Sequence, residues 1–232
     1  MNWAIVFLAC GDEHIKEFNI VAKTINELNP KLKIIVGTDT PENITANTYK
    51  TIHISEPFNY NLKRIPIREA LDEFNTILFL DTDTYVRNDI DFSIMNNISD
   101  GLYVDDIVPP ERQDRNGSIE WIQNYIDKLN ELWPHNKPQL IPEGRFILKW
   151  NTTEQRNAFI EMWERGYNWT VGTQPEQYGL SGCMEGFLIW IAAMDAGIPV
   201  KKIWNESETH RTFFQSMVHF ASPNKKLNPT IL

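Results

Sequence analysis

Apolar residues follow two different spacings along the first hundred positions of the chain. Between apolar runs they recur every three to four positions over residues 13–28 and 62–74, which predicts two amphipathic helices. The runs themselves have the composition of buried strands and occupy residues 3–8, 32–36, 49–54 and 76–80. Strands that alternate with helices are typical of an α/β fold with a mostly parallel central sheet, so this region predicts a Rossmann-like half.

The pattern is less regular after residue 100. Residues 101–104 and 145–150 are strand candidates, and helical spacing returns after Ser118, Thr152 and Cys183. Thr152 with Gln155 three positions later is the pattern of a helix-capping box. No repeat or low-complexity linker divides the chain, so we expect one domain over residues 1–232, with a loop after His219.

Charge and cysteine content exclude several classes of function. The chain has 31 acidic and 22 basic residues and a formal net charge of −9, which disfavours nucleic acids and anionic membranes as partners. No apolar run reaches the roughly 18–20 residues that a membrane span needs. Cys10 and Cys183 form no CxxC motif, and the short apolar start lacks the basic lead-in of a signal peptide. We therefore expect a cytoplasmic protein.

Two carboxylates follow the apolar run that ends at Leu80. Side chains two positions apart in an extended chain lie on the same side, so Asp81 and Asp83 would lie together at the carboxyl end of a buried strand. Ligands bind at that end in open α/β sheets. A hard cation such as Mn²⁺ or Mg²⁺ would relieve the repulsion between the carboxylates and hold phosphate oxygens. The alternative is a polar turn after a core strand.

Two classes of metal-dependent enzyme carry such a motif. In phosphatases of the haloacid-dehalogenase type, Asp81 would be a covalent nucleophile. In nucleotide-sugar glycosyltransferases, the two acids hold a metal on a diphosphate. The phosphatase motif usually follows the first strand, whereas three predicted strands precede Asp81 here, so the position favours the glycosyltransferase.

Basic residues and a histidine elsewhere could complete a diphosphate site. His219 lies six positions before Lys225, and an imidazole can be a third ligand for Mn²⁺ while a lysine neutralises a diphosphate. Lys63, Arg64 and Arg68 lie around the start of the second predicted helix, where anions are favoured. The alternative for all of them is a solvated surface position.

These motifs resemble those of the retaining, metal-dependent nucleotide-sugar glycosyltransferases of family eight, the glycogenin and lipopolysaccharide galactosyltransferase type. The resemblance rests on Asp81-Thr82-Asp83, on His219 with Lys225, and on Arg64 seventeen positions before Asp81. It implies a single-domain GT-A fold and transfer of a hexose from a UDP-sugar, UDP-glucose or UDP-galactose, to an acceptor hydroxyl on a saccharide or protein. It also implies a Mn²⁺ or Mg²⁺ cofactor.

The resemblance assigns roles to individual positions. It implies a nucleotide-binding half at 1–100, a sugar and acceptor half at 101–218, and a loop over the diphosphate at 219–232. Glu185 is the carboxylate expected on the sugar side, as the catalytic candidate. The metal ligands would be Asp81, Asp83 and His219, and the donor-binding residues would be Leu8, Ala9, His14, Arg64, Thr82 and Lys225, with His14 in place of a tyrosine that stacks on the base.

The chain departs from the family pattern on the sugar and acceptor side. Pro142-Glu143-Gly144 lacks the family's Asn, Met184-Glu185 lacks the Asp of its Asp-Gln pair, and Ser222 replaces a Gly. Binding of a nucleotide diphosphate is therefore predicted more firmly than the donor hexose. A third hypothesis follows, that of a catalytically inactive nucleotide-sugar binder.

Overall fold

A computed structural model describes residues 2–108, 119–134, 137–142, 144–173 and 183–219. The strands within these ranges are β1 Trp3–Leu8, β2 Ile34–Thr38, β3 Lys50–His53, β4 Thr76–Leu80, β5 Thr84–Val86, β6 Gly101–Val104, β7 Arg145–Lys149, β8 Val200–Lys202 and β9 Met217–His219. The helices are α1 Asp12–Leu28, α2 Arg64–Leu71, α3 Ile119–Leu132, α4 Thr153–Thr173, α5 Cys183–Asp195 and α6 Glu208–Gln215. No helix within these ranges is long and apolar enough to cross a membrane.

Seven strands form the central sheet in the order β3-β2-β1-β4-β7-β6-β8. Strands β3, β2, β1 and β4 are parallel, β7 is antiparallel to both of its neighbours, and β8 is parallel to β6. The prediction of a mostly parallel sheet is confirmed. Strands from before and after residue 100 pair in this sheet, and β4 is its middle strand.

Alternation along the buried strands divides the core between the two faces of the sheet. Ala4, Val6 and Leu8 of β1 pack on one face with residues of α2, α3, α4 and α5. Trp3, Ile5 and Phe7 pack on the other face with residues of α1 and α6. In β4, Phe79 belongs to the first face and Leu80 to the second. By the same alternation, Asp81 continues on the α5 side and Thr82 on the α1 side.

The pattern of apolar residues predicted the long elements but missed the short ones. The predicted strand 76–80 is β4, whereas the predicted helix 62–74 is a 3₁₀ turn at Tyr60–Lys63 followed by α2. The pattern did not predict β5, β8, β9 and α6, of three to eight residues each, because such segments are too short to show a period. His219, expected in a loop, is the last residue of β9.

Candidate functional site

The acidic motif forms a turn at the carboxyl end of β4. The Asp81 amide donates to the Gly144 carbonyl at 2.7 Å, and the Thr84 amide donates to the Asp81 carbonyl at 3.1 Å. The chain therefore leaves the central sheet at Asp81 and begins β5 at Thr84. This is the edge of an open α/β sheet where ligands bind.

On the α5 side of the sheet, Asp81 belongs to an ionic triad with Lys63 and Glu185. The Lys63 Nζ atom lies 3.0 Å from Asp81 Oδ1 and 2.5 Å from Glu185 Oε1. The side chains of Lys63 and Glu185 are 2% and 0% exposed, whereas that of Asp81 is 27% exposed. Only the Asp81 carboxylate of this triad therefore faces solvent to a substantial extent.

On the opposite side, Thr82 connects the motif to the first turns of α1. The Thr82 hydroxyl donates to Glu17 Oε2 at 2.9 Å, and His14 Nδ1 lies 3.2 Å from the same hydroxyl oxygen. Since the single hydroxyl proton goes to Glu17, His14 Nδ1 carries the proton of the second hydrogen bond and Thr82 accepts it. These contacts orient the half-exposed imidazole of His14 at the edge of the sheet.

Two exposed aromatic residues continue the site from His14. The Phe58 ring lies 5.8 Å from the His14 ring at 32°, and the Tyr60 ring lies 5.3 Å from that of Phe58. Phe58 and Tyr60 are 47% and 41% exposed, which few large hydrophobic residues are in the described part of the structure. The His14 imidazole, which was expected to stack on the base of the nucleotide, thus has the Phe58 ring as an aromatic neighbour.

The loop between β1 and α1 is shaped by contacts between backbone and side chain. Leu8 and Ala9 are buried, and the Ala9 amide donates to the Gly37 carbonyl at 2.8 Å. The Gly11 amide donates to both carboxylate oxygens of Asp39, at 3.1 and 3.2 Å. Gly11 has φ of 83°, a conformation that favours glycine. Asp39 therefore holds the turn that leads into α1.

Arg64 makes its contacts away from Asp81. Its Nη2 bonds to both carboxylate oxygens of Glu56 at 3.0 Å, and its Nε donates to Glu164 at 3.0 Å. The guanidinium carbon lies 3.7 Å from the centre of the Tyr167 ring. Successive residues of a helix point about 100° apart, so Lys63 and Arg64 reach different sides. Of these two bases, the structure places Lys63 in contact with Asp81.

The backbone of His219 lies next to the acidic motif. Strand β9 pairs antiparallel with β5, with Thr84 opposite His219. Thr84 directly follows Asp83, so a segment from the end of the chain reaches the carboxyl edge of β4. The side chain of His219 lies outside the described part of the structure, as do Lys225, Glu143 and Ser222.

The carboxylates at the end of β4 suit a divalent cation that is bound partly by the protein and partly by a phosphate ligand. In the described ranges, no group of three or more His, Cys, Asp and Glu side chains is arranged to hold a metal. Asp81 and Asp83 supply hard oxygen donors, and Mg²⁺ is commonly bound by one or two carboxylates together with substrate phosphates. The donor set thus fits a metal that a diphosphate completes, rather than a closed cage of protein ligands.

Two residues of the site, Asp39 and Glu17, were not among the residues predicted for it, and a third, Lys63, was predicted without a role of its own. Asp39 follows the apolar run of β2 much as Asp81 follows β4, which is a signal that the sequence contains. Glu17 lies three positions after His14, the spacing that brings side chains together on a helix. Lys63 was named only as one of three bases, and its approach to Glu185, 122 positions away, has no local signal.

Cys10, two residues after β1, is buried, and the reactivity of its thiol tests how well this region excludes water. Burial and the nearby Asp39 carboxylate raise the pKa of its thiol to about 11. In a Cys183→Ser variant, we expect alkylation by iodoacetamide at pH 9 to be roughly fiftyfold slower in the folded than in the unfolded chain. An ordinary thiol with a pKa of 9.0 is then half ionised, whereas only about 1% of a thiol with a pKa of about 11 is ionised. Rates are followed by mass spectrometry. A folded-state rate that levels off near pH 8.5 would contradict the raised pKa.

Comparisons with known proteins agree with this architecture. The glycosyltransferase GlyE of Streptococcus pneumoniae TIGR4 superposes with a TM-score of 0.52 at 13% identity, over 97% of this chain and 56% of GlyE. The apo structure of the bifunctional glycosyltransferase WbbM superposes with a TM-score of 0.52 at 12% identity, over 96% of this chain and 46% of WbbM. The chain has a GT-A-like fold.

This GT-A-like chain spans about half the length of each of these two proteins. Its sequence matches no protein-family model, and no curated protein is significantly similar to it in sequence. At this level of identity the likeness shows the fold, and the chemistry has to be inferred from the site.

Proposed function

We propose that this chain is a glycosyltransferase that moves a hexose from a UDP-sugar to an acceptor hydroxyl. UDP-glucose and UDP-galactose are the proposed donors, and a saccharide or protein is the proposed acceptor. The observation that carries the proposal is the position of Asp81-Thr82-Asp83 at the carboxyl end of the middle strand of a GT-A-like sheet. The site gathered there contains Lys63, Glu185 and His14.

A divalent metal, Mn²⁺ or Mg²⁺, is proposed to be held by Asp81 and Asp83 on the diphosphate, with His219 as a third ligand. When bound, it would supply positive charge to the leaving diphosphate. Lys63 adds a second positive charge at the same edge, 3.0 Å from Asp81. Lys225 is proposed to neutralise the diphosphate from the end of the chain, and Arg64 to support the donor side indirectly, through the segment that contains Glu56.

The sugar side is proposed to be organised by Glu185. Glu185 lies in α5, and its carboxylate pairs with the Lys63 ammonium. The same ammonium pairs with Asp81, so Lys63 bridges the two carboxylates. His14 and the exposed rings of Phe58 and Tyr60 are proposed to contact the base and ribose, together with the backbone of Leu8 and Ala9 and the hydroxyl of Thr82. Aromatic faces suit such planar groups.

Retention of configuration is part of the proposal, as the resemblance to family eight implies. The bond from the anomeric carbon to the diphosphate breaks, and a bond to the acceptor oxygen forms on the same face of the sugar. The acceptor proton goes to the leaving phosphate, so no protein base is needed.

A donor-hydrolysis screen tests this proposal. Purified protein is incubated with UDP-, GDP- and dTDP-sugars in the presence of Mn²⁺, Mg²⁺ or EDTA, and release of nucleoside diphosphate is measured. We expect release of UDP from UDP-glucose or UDP-galactose with Mn²⁺, and none with EDTA. Release of a different nucleotide would overturn the proposed donor, and UDP–Mn²⁺ binding without turnover on any donor would indicate an inactive binder.

A haloacid-dehalogenase-like phosphatase is not favoured by the glycosyltransferase neighbours. The same preparation distinguishes it, because Asp81 would then form a phosphoaspartate. We expect no phosphoaspartate when the protein is incubated with phosphomonoesters. In a separate incubation, we expect no complex of Asp81 with beryllium fluoride, which mimics a phosphoryl group.

A further inference from the structure

We propose that Lys63 is an internal counter-ion of the acidic motif, which weakens metal binding by the free protein and couples it to binding of a phosphate ligand. The inference rests on the proposed function, because it concerns the metal and diphosphate of the same site. In this role Lys63 is a positioning residue, which acts on the cation through Asp81 and is not itself a ligand.

The contacts of Lys63 place its charge on a carboxylate that the metal would use. Its Nζ atom lies 3.0 Å from Asp81 Oδ1 and 2.5 Å from Glu185 Oε1. A cation that binds Asp81 therefore meets an ammonium already paired with one of its ligand oxygens. Like charges at such distances repel strongly in a poorly hydrated site.

Lys63 has no easy route into water. Its side chain is 2% exposed, and its Nζ lies 5.0 Å from the centre of the Phe79 ring and 5.8 Å from that of Tyr60. Glu185, which is fully buried in α5, holds the ammonium from the other side. The positive charge therefore stays within reach of Asp81 whether or not a metal is present.

A diphosphate changes this balance because its oxygens attract both positive charges. Its negative charge offsets the repulsion between the buried ammonium and the metal, while its oxygens complete the shell of a cation on Asp81 and Asp83. Binding of the two ligands is then cooperative, and the coupling is reciprocal. Free protein should bind Mn²⁺ weakly, and protein with UDP should bind it much more tightly.

The experiment compares Mn²⁺ affinity in three proteins, with and without UDP, using the electron paramagnetic resonance signal of free Mn²⁺. The first is the natural chain. The second is Lys63→Met/Glu185→Leu, which removes one positive and one negative charge and so leaves the net charge of the triad at that of Asp81 alone. The third is Lys50→Met/Glu69→Leu, which removes a surface ion pair of 2.9 Å by the same substitutions.

We expect the Lys63→Met/Glu185→Leu protein to bind Mn²⁺ without UDP about tenfold more tightly than the natural chain, or more, and UDP to enhance that binding less. The Lys50→Met/Glu69→Leu control should match the natural chain. Circular dichroism establishes that each variant is folded. An unchanged or weaker Mn²⁺ affinity of the folded Lys63→Met/Glu185→Leu protein without UDP would overturn the inference.

Failure of the proposed function gives a different result. If the natural chain binds no UDP in any condition, the nucleotide-sugar proposal is wrong. A rise in Mn²⁺ affinity in the Lys63→Met/Glu185→Leu protein would still support the counter-ion role in that case. If UDP and Mn²⁺ bind the natural chain cooperatively and the variant behaves identically, the function stands and the role of Lys63 does not.

Discussion

Asp83→Asn is expected to lower the rate of sugar transfer by about a hundredfold to a thousandfold and to abolish its dependence on Mn²⁺. The substitution keeps the size of the side chain and removes its charge, so the fold should be retained. In the proposed function, Asp83 is one of two carboxylates that hold the cation on the leaving diphosphate. Loss of that charge acts where negative charge develops during the reaction.

The measurement is UDP release from the donor identified in the screen, titrated with Mn²⁺. Asp89→Asn is the matched control: Asp89 lies six positions later, is exposed, and pairs with Arg87 at 2.7 Å. It should retain activity within about twofold, since an exposed ion pair contributes little. Equal activity of Asp83→Asn and Asp89→Asn would remove Asp83 from the proposed site.

Lys63→Met alone is expected to destabilise the folded chain by about 3–5 kcal/mol. Lys63 and Glu185 are 2% and 0% exposed, so removal of the ammonium leaves a carboxylate buried without the charge that compensates it. The free energy of unfolding is measured by urea titration, followed by circular dichroism. The loss should be large because desolvation of Glu185 is no longer offset.

Two variants show whether the loss comes from the buried charge. Lys63→Met/Glu185→Leu should recover most of the stability, because a buried ion pair replaced by apolar residues of similar volume is often neutral. Lys50→Met should cost at most about 1 kcal/mol, since Lys50 pairs with Glu69 and Glu73 near the surface. If Lys63→Met is no more harmful than Lys50→Met, the ionic triad does not stabilise the fold.

Much of the fold could be predicted from local pattern. The apolar run of β4 and the acids that follow it are contiguous, so one segment predicts the strand and the two carboxylates at its end. The helical stripe of α1, which buries Ile15, Phe18 and Ile25 among others, is equally local. These elements follow from the spacing of apolar residues, which is a property of neighbouring positions and does not depend on the rest of the chain.

Other features depended on packing between distant segments. The ring of Trp169, near the end of α4, lies 5.6 Å from that of Tyr125 in α3. The short strands β5 and β9 have no detectable period and form by pairing with each other, which brings His219 to Thr84. Such pairs are stable only once the larger sheet has placed their ends together.

The sequence by itself determined the α/β class, the buried strand at residues 76–80 and the acidic motif at its end. Tertiary structure decided which base meets that motif. Lys63 and Arg64 are neighbours of like charge; the spacing to Asp81 singled out Arg64, but it does not show which of the two side chains contacts the motif. The 3₁₀ turn and helix that contain them turn Lys63 toward Asp81 and Glu185 and Arg64 toward Glu56 and Glu164. That choice depends on how α2, α4 and α5 pack on one face of the sheet, because Glu185 lies 122 positions from Lys63 and Glu164 lies 100 positions from Arg64.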